Sequence, residues 1–475
     1  MTIQLRPHQD EWIADLRAAL RNSDAVLAQA ATGFGKTICA AWMARATTGK
    51  GNDITFTCHR QELVDQTSAA FTSVGVKHGF VVSKMPFAPH ARVKVASVGT
   101  LKNRLDVLTP PKLLVIDEAH HCAAAGWATI VDWAKAGGAK IVGLTATPWR
   151  LSGEGLDQYF DDMITGPSVS WLIENGYLSE YRAFAPGAPD MKGVHSRAGD
   201  YVRGEIEDIM DTNQILGDTV QHYRRHARGK KGLVFCVSVR HSEHMAARFR
   251  DSGISAQHLD GNTPSEVRRK MIRAYADGHI DVLTNVDLFG EGFDLSALAG
   301  REVPIQAVSL CRPTMSLSLF LQQVGRALRP DDEPHIILDH AGNLMRHGFP
   351  DDDRQWTLQA RKKKNRGNVG AAVPIRQCDH CFYVHRPAPV CPNCGHVYEI
   401  AAREVEEIDG DLGELNVRER RRLRLQEQHE CGDIDDLIAL GRKRGYKHPQ
   451  KWAAHVMSAR LNKSRGRVSA QESFI

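Results

Sequence analysis

The run Ala31–Thr37, ATGFGKT, places two glycines, a lysine and a threonine directly after the apolar segment VLAQA. Glycines at 33 and 35 let backbone N–H groups turn toward an anion, and a helix starting at Lys36 adds the positive end of its dipole. Lys36 would reach the β/γ-phosphates of a nucleotide, and Thr37 would ligate Mg²⁺. Ala30 stands where the full G-x-x-x-x-G-K-T pattern has its first glycine. Further on, KLLVIDEAHH (Lys112–His121) runs an apolar strand into two adjacent carboxylates, Asp117 and Glu118. Charges at the end of a buried strand must reach solvent or meet something positive, and the phosphate-loop cation and metal are such partners. Asp117 fits the Mg²⁺-holding acid of nucleotide-binding folds, and Glu118 could orient or deprotonate an attacking water. QQVGRALR (Gln322–Arg329) brings Arg326 and Arg329, cations able to meet charge that develops on a transferring phosphoryl group.

A second chemistry lies in CDHCFYVHRPAPVCPNC, Cys378–Cys394, with spacing C-x₂-C-x₉-C-x₂-C. Cys378, Cys381, Cys391 and Cys394 supply four thiolates for a closed, tetrahedral Zn²⁺ site. His380, His385 and His396 lie nearby, but four cysteines leave no vacancy for them. Zinc here would stabilise a module too small to hold itself by a core. Tyr383, His385 and Arg386 could touch nucleic acid or serve packing.

These residues need rigid elements to position them. Strand-like runs at Val26, Ile54, Val93, Leu113 and Ile141 alternate with amphipathic stretches, and the pattern restarts after about residue 175 with GLVFCV, VLTNV, IQAVSL and HIILDH. Alternation of this kind predicts an α/β fold: two tandem parallel-sheet domains with helices on both faces, followed by a small zinc module and a helical C-terminal region. The expected division is 1–175, 176–348, a charged linker 349–373, the Cys₄ module 374–400 and a basic helical tail 401–475. Gly187–Gly204 reads as a polar surface loop. Of 475 residues, 42% are hydrophobic and 25% charged, an ordinary globular composition with no apolar run long enough to span a membrane. With no secretory apolar core at the start, the expectation is a protein of the reducing cytoplasm, without membrane association. The last 115 residues carry a net charge of +7 and the first 360 carry −2, which points the C-terminal segment toward a polyanion or a solvated helical surface.

Taken together, ATGFGKT and DEAH (Asp117–His120) resemble the motifs of superfamily 2 helicases and translocases. LRPHQ (Leu5–Gln9), CHRQELVDQ (Cys58–Gln66), TAT (Thr145–Thr147), LTNVDLFGEGFD (Leu283–Asp294) and QQVGRALR follow in that family's order over residues 5 to 345. The resemblance implies two RecA-like domains that close on ATP, with Arg326 and Arg329 reaching across the cleft. It places Arg6, Gln9, Thr32, Gly33, Phe34, Gly35, Lys36, Thr37, Gly292 and Asp294 on the nucleotide, and Gln322 on water or the γ-phosphate. It puts Arg60, Thr100 and Thr284 on a nucleic-acid backbone, and makes His120, Thr145 and Thr147 couplers between sites. With the Cys₄ module, the chain is most similar to the bacterial RadD family of DEAH-type ATPases linked to DNA repair and recombination, and to related phage proteins. RKRGYKHPQKWAAHV (Arg442–Val456) resembles a short helical element at the ends of such proteins. The implied partner is single-stranded or branched DNA, with replication or repair proteins meeting the C-terminal region. RNA as track, a restriction-system motor subunit and a nucleic-acid-binding scaffold with weak ATPase stay open, because the motifs grip backbone and not bases.

Overall fold

The computed structural model describes residues 4–469 except 84, 123–125, 150–154, 198, 290–294, 360–373, 399–424, 445 and 447. Gly292, Asp294 and the basic run Val417–Arg424 therefore lie outside the described residues. Residues 1–398 and 399–475 form two separate compact units.

The first sheet contains β1 (Ala25–Gln29), β2 (Ile54–Cys58), β3 (Gly79–Val81), β4 (Val93–Ser97), β5 (Leu113–Ile116), β6 (Lys140–Thr145) and β7 (Asp162–Thr165). Its spatial order is β3-β4-β2-β5-β6-β1-β7, every pair parallel. Side chains alternate across a strand, and here both faces are apolar. Val26 and Ala28 of β1 enter one core, Ala25 and Leu27 the other. That is why the strands read as continuous apolar runs: helices cover both sides.

After the helix Val169–Glu174 the chain leaves this sheet and enters the second with β8 (Tyr181–Phe184). A two-stranded ribbon follows, β9 (Ser196–Arg197) with β10 (Asp200–Tyr201). The polar stretch expected as plain loop is thus partly ordered. The Asp200 carboxylate fixes it by accepting from the Thr314 hydroxyl and the Met315 backbone N–H. The second sheet continues with β11 (Gly232–Phe235), β12 (Ala256–Leu259), β13 (Val282–Asn285), β14 (Ala307–Leu310) and β15 (His335–Asp339), ordered β12-β13-β11-β14-β15-β8 and again parallel. Leu233 and Phe235 face one core and Val234 and Cys236 the other.

The segment from Phe349 is not the free charged linker that its composition suggests. Phe349 is buried in the second domain's core. The chain then returns to the first domain, where Trp356 packs on Trp149 with ring centroids 4.6 Å apart and the Leu156 N–H donates to the Leu358 carbonyl at 2.7 Å. Trp356 and Leu358 are both half-buried, so each contributes part of the apolar burial that seats a charged stretch against the first domain. Residues 360–373 lie outside the described set.

β16 (Arg376–Gln377) and β17 (Val384–His385) form the antiparallel base of the Cys₄ module. In the C-terminal unit the helices Ile434–Lys443 and Pro449–Ser469 pack through Leu437, Ala453 and Val456, and residues 425–430 are also helical. Tyr446 and Trp452 meet edge to face, 5.1 Å apart. Among the described residues no helix is long and apolar enough to cross a membrane.

Candidate active site

The phosphate loop hangs between the C-terminal end of β1 and the helix Lys36–Gly49. Gly33 and Gly35 have φ of 87° and 94°, the left-handed region that glycine enters without steric cost. A Cβ on Gly35 would fall 2.6 Å from Gln9 Nε2, and one on Gly33 would fall 2.7 Å from Leu178 Cδ2. Gln9 accepts from the Arg6 N–H and donates to the Phe34 carbonyl at 2.8 Å, so it braces the loop from behind. Phe34, expected on the nucleotide, turns inward: its ring is 1% exposed and packs on His8 and Trp12. An apolar ring is worth more in the core than beside phosphates. Both residues shape the loop and stand outside the cavity lining.

That cavity, about 600 Å³, opens between the domains. Arg6, Thr32, Gly33, Gly35, Lys36, Thr37, Asp117 and Glu118 line it from the first domain, and Gln322, Gly325, Arg326 and Arg329 from the second. The first domain's groups are desolvated together. Lys36 donates to the carbonyls of Ala30 and Ala31 at 2.9 and 3.2 Å, and burial lowers its pKa against the pull of Glu118 and Asp117. Burial, reinforced by Glu118 next door, pushes Asp117 up to about 7, with Lys36 opposing. Glu118 sits at φ 48°, a left-handed conformation costly for a side chain with a Cβ, at the turn that swings it off β5. A carboxylate and a hydroxyl beside a lysine are hard oxygen donors suited to Mg²⁺ and a polyphosphate.

From the second domain, Gln322 lies on the helix Leu317–Val324, 2% exposed, with neither its amide oxygen nor its nitrogen hydrogen-bonded. A buried amide left unsatisfied costs about 1–3 kcal/mol, and aimed into a cavity it marks a ligand position. The short 3₁₀ turn Gly325–Leu328 carries Arg326, whose Nε donates to the Phe289 carbonyl at 3.0 Å. Arg329 Nη1 donates to Ser296 Oγ at 3.1 Å. Gly325 is pressed against the phosphate loop, since a Cβ there would fall 2.7 Å from Thr32 Cβ.

A polar chain leads away from Glu118. His120 Nδ1 is 3.4 Å from Glu118 Oε2 and 3.1 Å from Thr145 Oγ1. The Thr145 hydroxyl donates to the Thr147 carbonyl, so the proton between it and His120 belongs to Nδ1. The Thr147 hydroxyl then meets Ser318 Oγ across the cleft at 2.6 Å, one helical turn before Gln322. Ser318 carried no sequence signal.

The expected nucleic-acid residues divide. Arg60 Nη1 donates to the Asp287 carbonyl of the second domain at 3.2 Å. Thr100 is half-buried and accepts from Ser97. Thr284 does not fit its expectation: it is 0% exposed, inside β13, and its hydroxyl donates to the Ser242 carbonyl at 2.8 Å. A central strand buried on both faces leaves no route from that hydroxyl to a phosphate.

In the Cys₄ module the four Sγ atoms lie within 4.8 Å of one another, with Cys378–Cys394 at 3.7 Å and Cys381–Cys391 at 3.8 Å. A tetrahedron with Zn–S of about 2.3 Å has edges of about 3.8 Å, so the thiols fit that ion. Phe382 and Gly395, one residue past each pair, take positive φ and close the two knuckles. The module docks on the edge of the second sheet through the Ala185 N–H to the Phe382 carbonyl at 2.9 Å. Tyr383 packs on Phe184 and His385 bonds Tyr398, while Arg386 pairs with Asp352 over the Phe349 ring. The module's tip is thereby occupied with packing.

Comparison with known proteins agrees with this architecture. The family described as "Type III restriction enzyme, res subunit" matches residues 2–150, and "Helicase conserved C-terminal domain" matches residues 212–331. A 51.5 kDa protein of a Lactococcus phage is 35% identical over 411 residues, covering 85% of each chain. A Saccharomyces cerevisiae protein named as an ATP-dependent helicase, IRC3, is 30% identical over 295 residues, 59% of this chain and 42% of that one, so the chain spans under half of it. The ATP-dependent Type ISP restriction-modification enzyme LlaBIII bound to DNA superposes with a TM-score of 0.54 over 72% of this chain and 28% of that chain, at 14% identity, a likeness of fold alone. With both halves of the motor matched and the phage relative covered over most of its length, the chain belongs to the superfamily 2 helicases, nucleic-acid-dependent ATPases that act as ATP-driven motors.

Proposed function

We propose that this chain is a DEAH-type, RadD-like DNA translocase of a reducing cytoplasm, remodelling single-stranded or branched DNA in replication, recombination or repair. The observation that carries the reading is the single cavity where Lys36, Asp117 and Glu118 face Gln322, Arg326 and Arg329 from the other domain. Lys36 and the loop N–H groups hold the β/γ-phosphates of ATP. Thr37 and Asp117 are the residues to hold Mg²⁺, which supplies charge neutralisation. Glu118 takes the proton of the attacking water, and Gln322 fixes that water or the γ-phosphate. Arg326 and Arg329 meet the developing charge only when the cleft is shut, which ties hydrolysis to domain closure. His120, Thr145, Thr147 and Ser318 carry that state between Glu118 and the second domain. Arg60 and Thr100 grip phosphates of the track. Cys378, Cys381, Cys391 and Cys394 hold a structural Zn²⁺, and the basic C-terminal region meets DNA or repair proteins. LlaBIII, of the same fold, is DNA-bound, so the fold is compatible with a DNA track.

The test is ATP hydrolysis by the full chain alone and with single-stranded DNA, forked duplex or RNA, beside Glu118→Gln. Stimulation by a DNA form, lost in the variant, is expected. Stimulation by RNA alone would move the track to RNA. A slow rate indifferent to every polymer would leave a scaffold.

A further inference from the structure

Three consecutive residues, Tyr177, Leu178 and Ser179, connect the two domains, and each touches a different part of the site. The Tyr177 ring lies 4.1 Å from the His8 ring and 5.4 Å from the Arg6 guanidinium, at the LRPHQ element. Leu178 is buried against the phosphate loop, its Cδ2 occupying the space a Cβ on Gly33 would need. Ser179 is 4% exposed and bound to the arginine-bearing segment: its N–H donates to the Leu328 carbonyl at 3.0 Å and its hydroxyl to the Arg329 carbonyl at 2.6 Å.

Arg329 is where the 3₁₀ turn ends, with φ −67° and ψ 145°. Its carbonyl has left the helical ladder and needs an outside donor. Ser179 provides one, and it does so from a chain whose neighbouring residue is wedged under the phosphate loop. We infer that Ser179 is a positioning residue for the arginine finger. It fixes the backbone from which Arg329 reaches the cavity and hands the loop's position to it through Leu178. A finger acts through geometry, and a displacement near 1 Å costs up to about 10²-fold in rate. The hydroxyl therefore bears on kcat and leaves the contacts that bind ATP in place.

The inference rests on the reading of Arg329 as a finger, so the experiment separates the two. Steady-state ATP hydrolysis is measured on the full chain at a saturating level of its stimulating polymer, for Ser179→Ala, Ser179→Thr, Arg329→Ala and Ser179→Ala/Arg329→Ala. Ser179→Ala is expected to lower kcat about 10-fold with KM for ATP within about 2-fold, and Ser179→Thr to restore it. The double variant is expected to be no slower than Arg329→Ala alone, because the hydroxyl acts through the arginine. Losses that multiply in the double variant, or a loss confined to KM, would overturn the positioning role and leave the finger standing. An unchanged kcat in Arg329→Ala would overturn both. If Ser179→Ala proves unstable by melting, Ser179→Thr and Ser179→Cys carry the test, since only the first keeps a hydroxyl donor.

Discussion

The two parallel sheets share an architecture but differ in what surrounds the ionisable groups nearest their cores. At the C-terminal edge of the first, Lys36 and Asp117 sit close to the buried Glu118, and burial lowers the lysine and raises the aspartate against their mutual attraction. In the second, several histidines are partly or fully buried without a close carboxylate, whereas His335 keeps Asp331 at 3.2 Å. His226 stacks on Phe184 at 3.9 Å, His222 on His340 at 5.2 Å, and His241 is 0% exposed. Burial lowers His226 and His241 to about 4. Opposed charges in a shared cavity hold reactive protonation states, whereas rings without an adequate counter-charge are kept neutral and serve as packing.

The strongest way to break this contrast is to remove a charge that the first sheet's site depends on. Glu118→Gln should cut polymer-stimulated kcat by about 10²–10⁴ while the melting temperature stays within about 2 °C. A comparable loss in stability would mean that the carboxylate is structural. Arg326→Ala, from the other side of the cavity, should lose about 10³ in kcat. The Cys₄ module, docked on the second sheet, should behave as a staple. Cys391→Ser is expected to abolish bound zinc by elemental analysis and to lower the melting temperature with little change in KM for ATP. Retained zinc would remove Cys391 from the ligand set.

Acid should then separate the domains. Below pH 6.5 the unfolded chain protonates histidines that folded His226 and His241 refuse until about 4. The unfolded state binds more protons across that window, so stability present above pH 6.5 declines as pH falls from 6.5 toward 4. Urea melts from pH 7 to 4.5 should show this loss, and His226→Phe, which keeps the ring stack, should soften it. A pH-independent midpoint would sink the account. The smallest effect is expected at the cleft bond. Ser318→Ala should cost about 0.5–1.5 kcal/mol and a few-fold of the polymer stimulation, read as the ratio of rates with and without polymer.

What was legible in the sequence follows from locality. ATGFGKT, DEAH and the cysteine pairs each place their donors within a few residues on one turn, so spacing alone brings them together. The alternation of apolar strands with amphipathic stretches likewise foretold two parallel sheets. Gln322, Arg326 and Arg329 were legible through the motif resemblance, but other residues whose surroundings depend on distant neighbours were not. Thr284 reads as an available hydroxyl until the helix Val239–Asp251 lays Ser242 over it. Ser179 and Ser318 acquire partners only once the domains meet. Phe34 sits inside the motif, yet core burial by His8 and Trp12 decides its direction. The stretch after Phe349 has the composition of a linker, and only the distant Trp149 and Leu156 reveal where it goes.

That return path has a mechanical consequence. Phe349 is held in one core and Leu358 beside the other, with nine peptide steps between them. A chain of that length spans at most about 30 Å when fully drawn out. Besides the connection at Tyr177–Ser179 the motor therefore has a leash, and any stroke that exceeds it must first unseat Trp356 from Trp149.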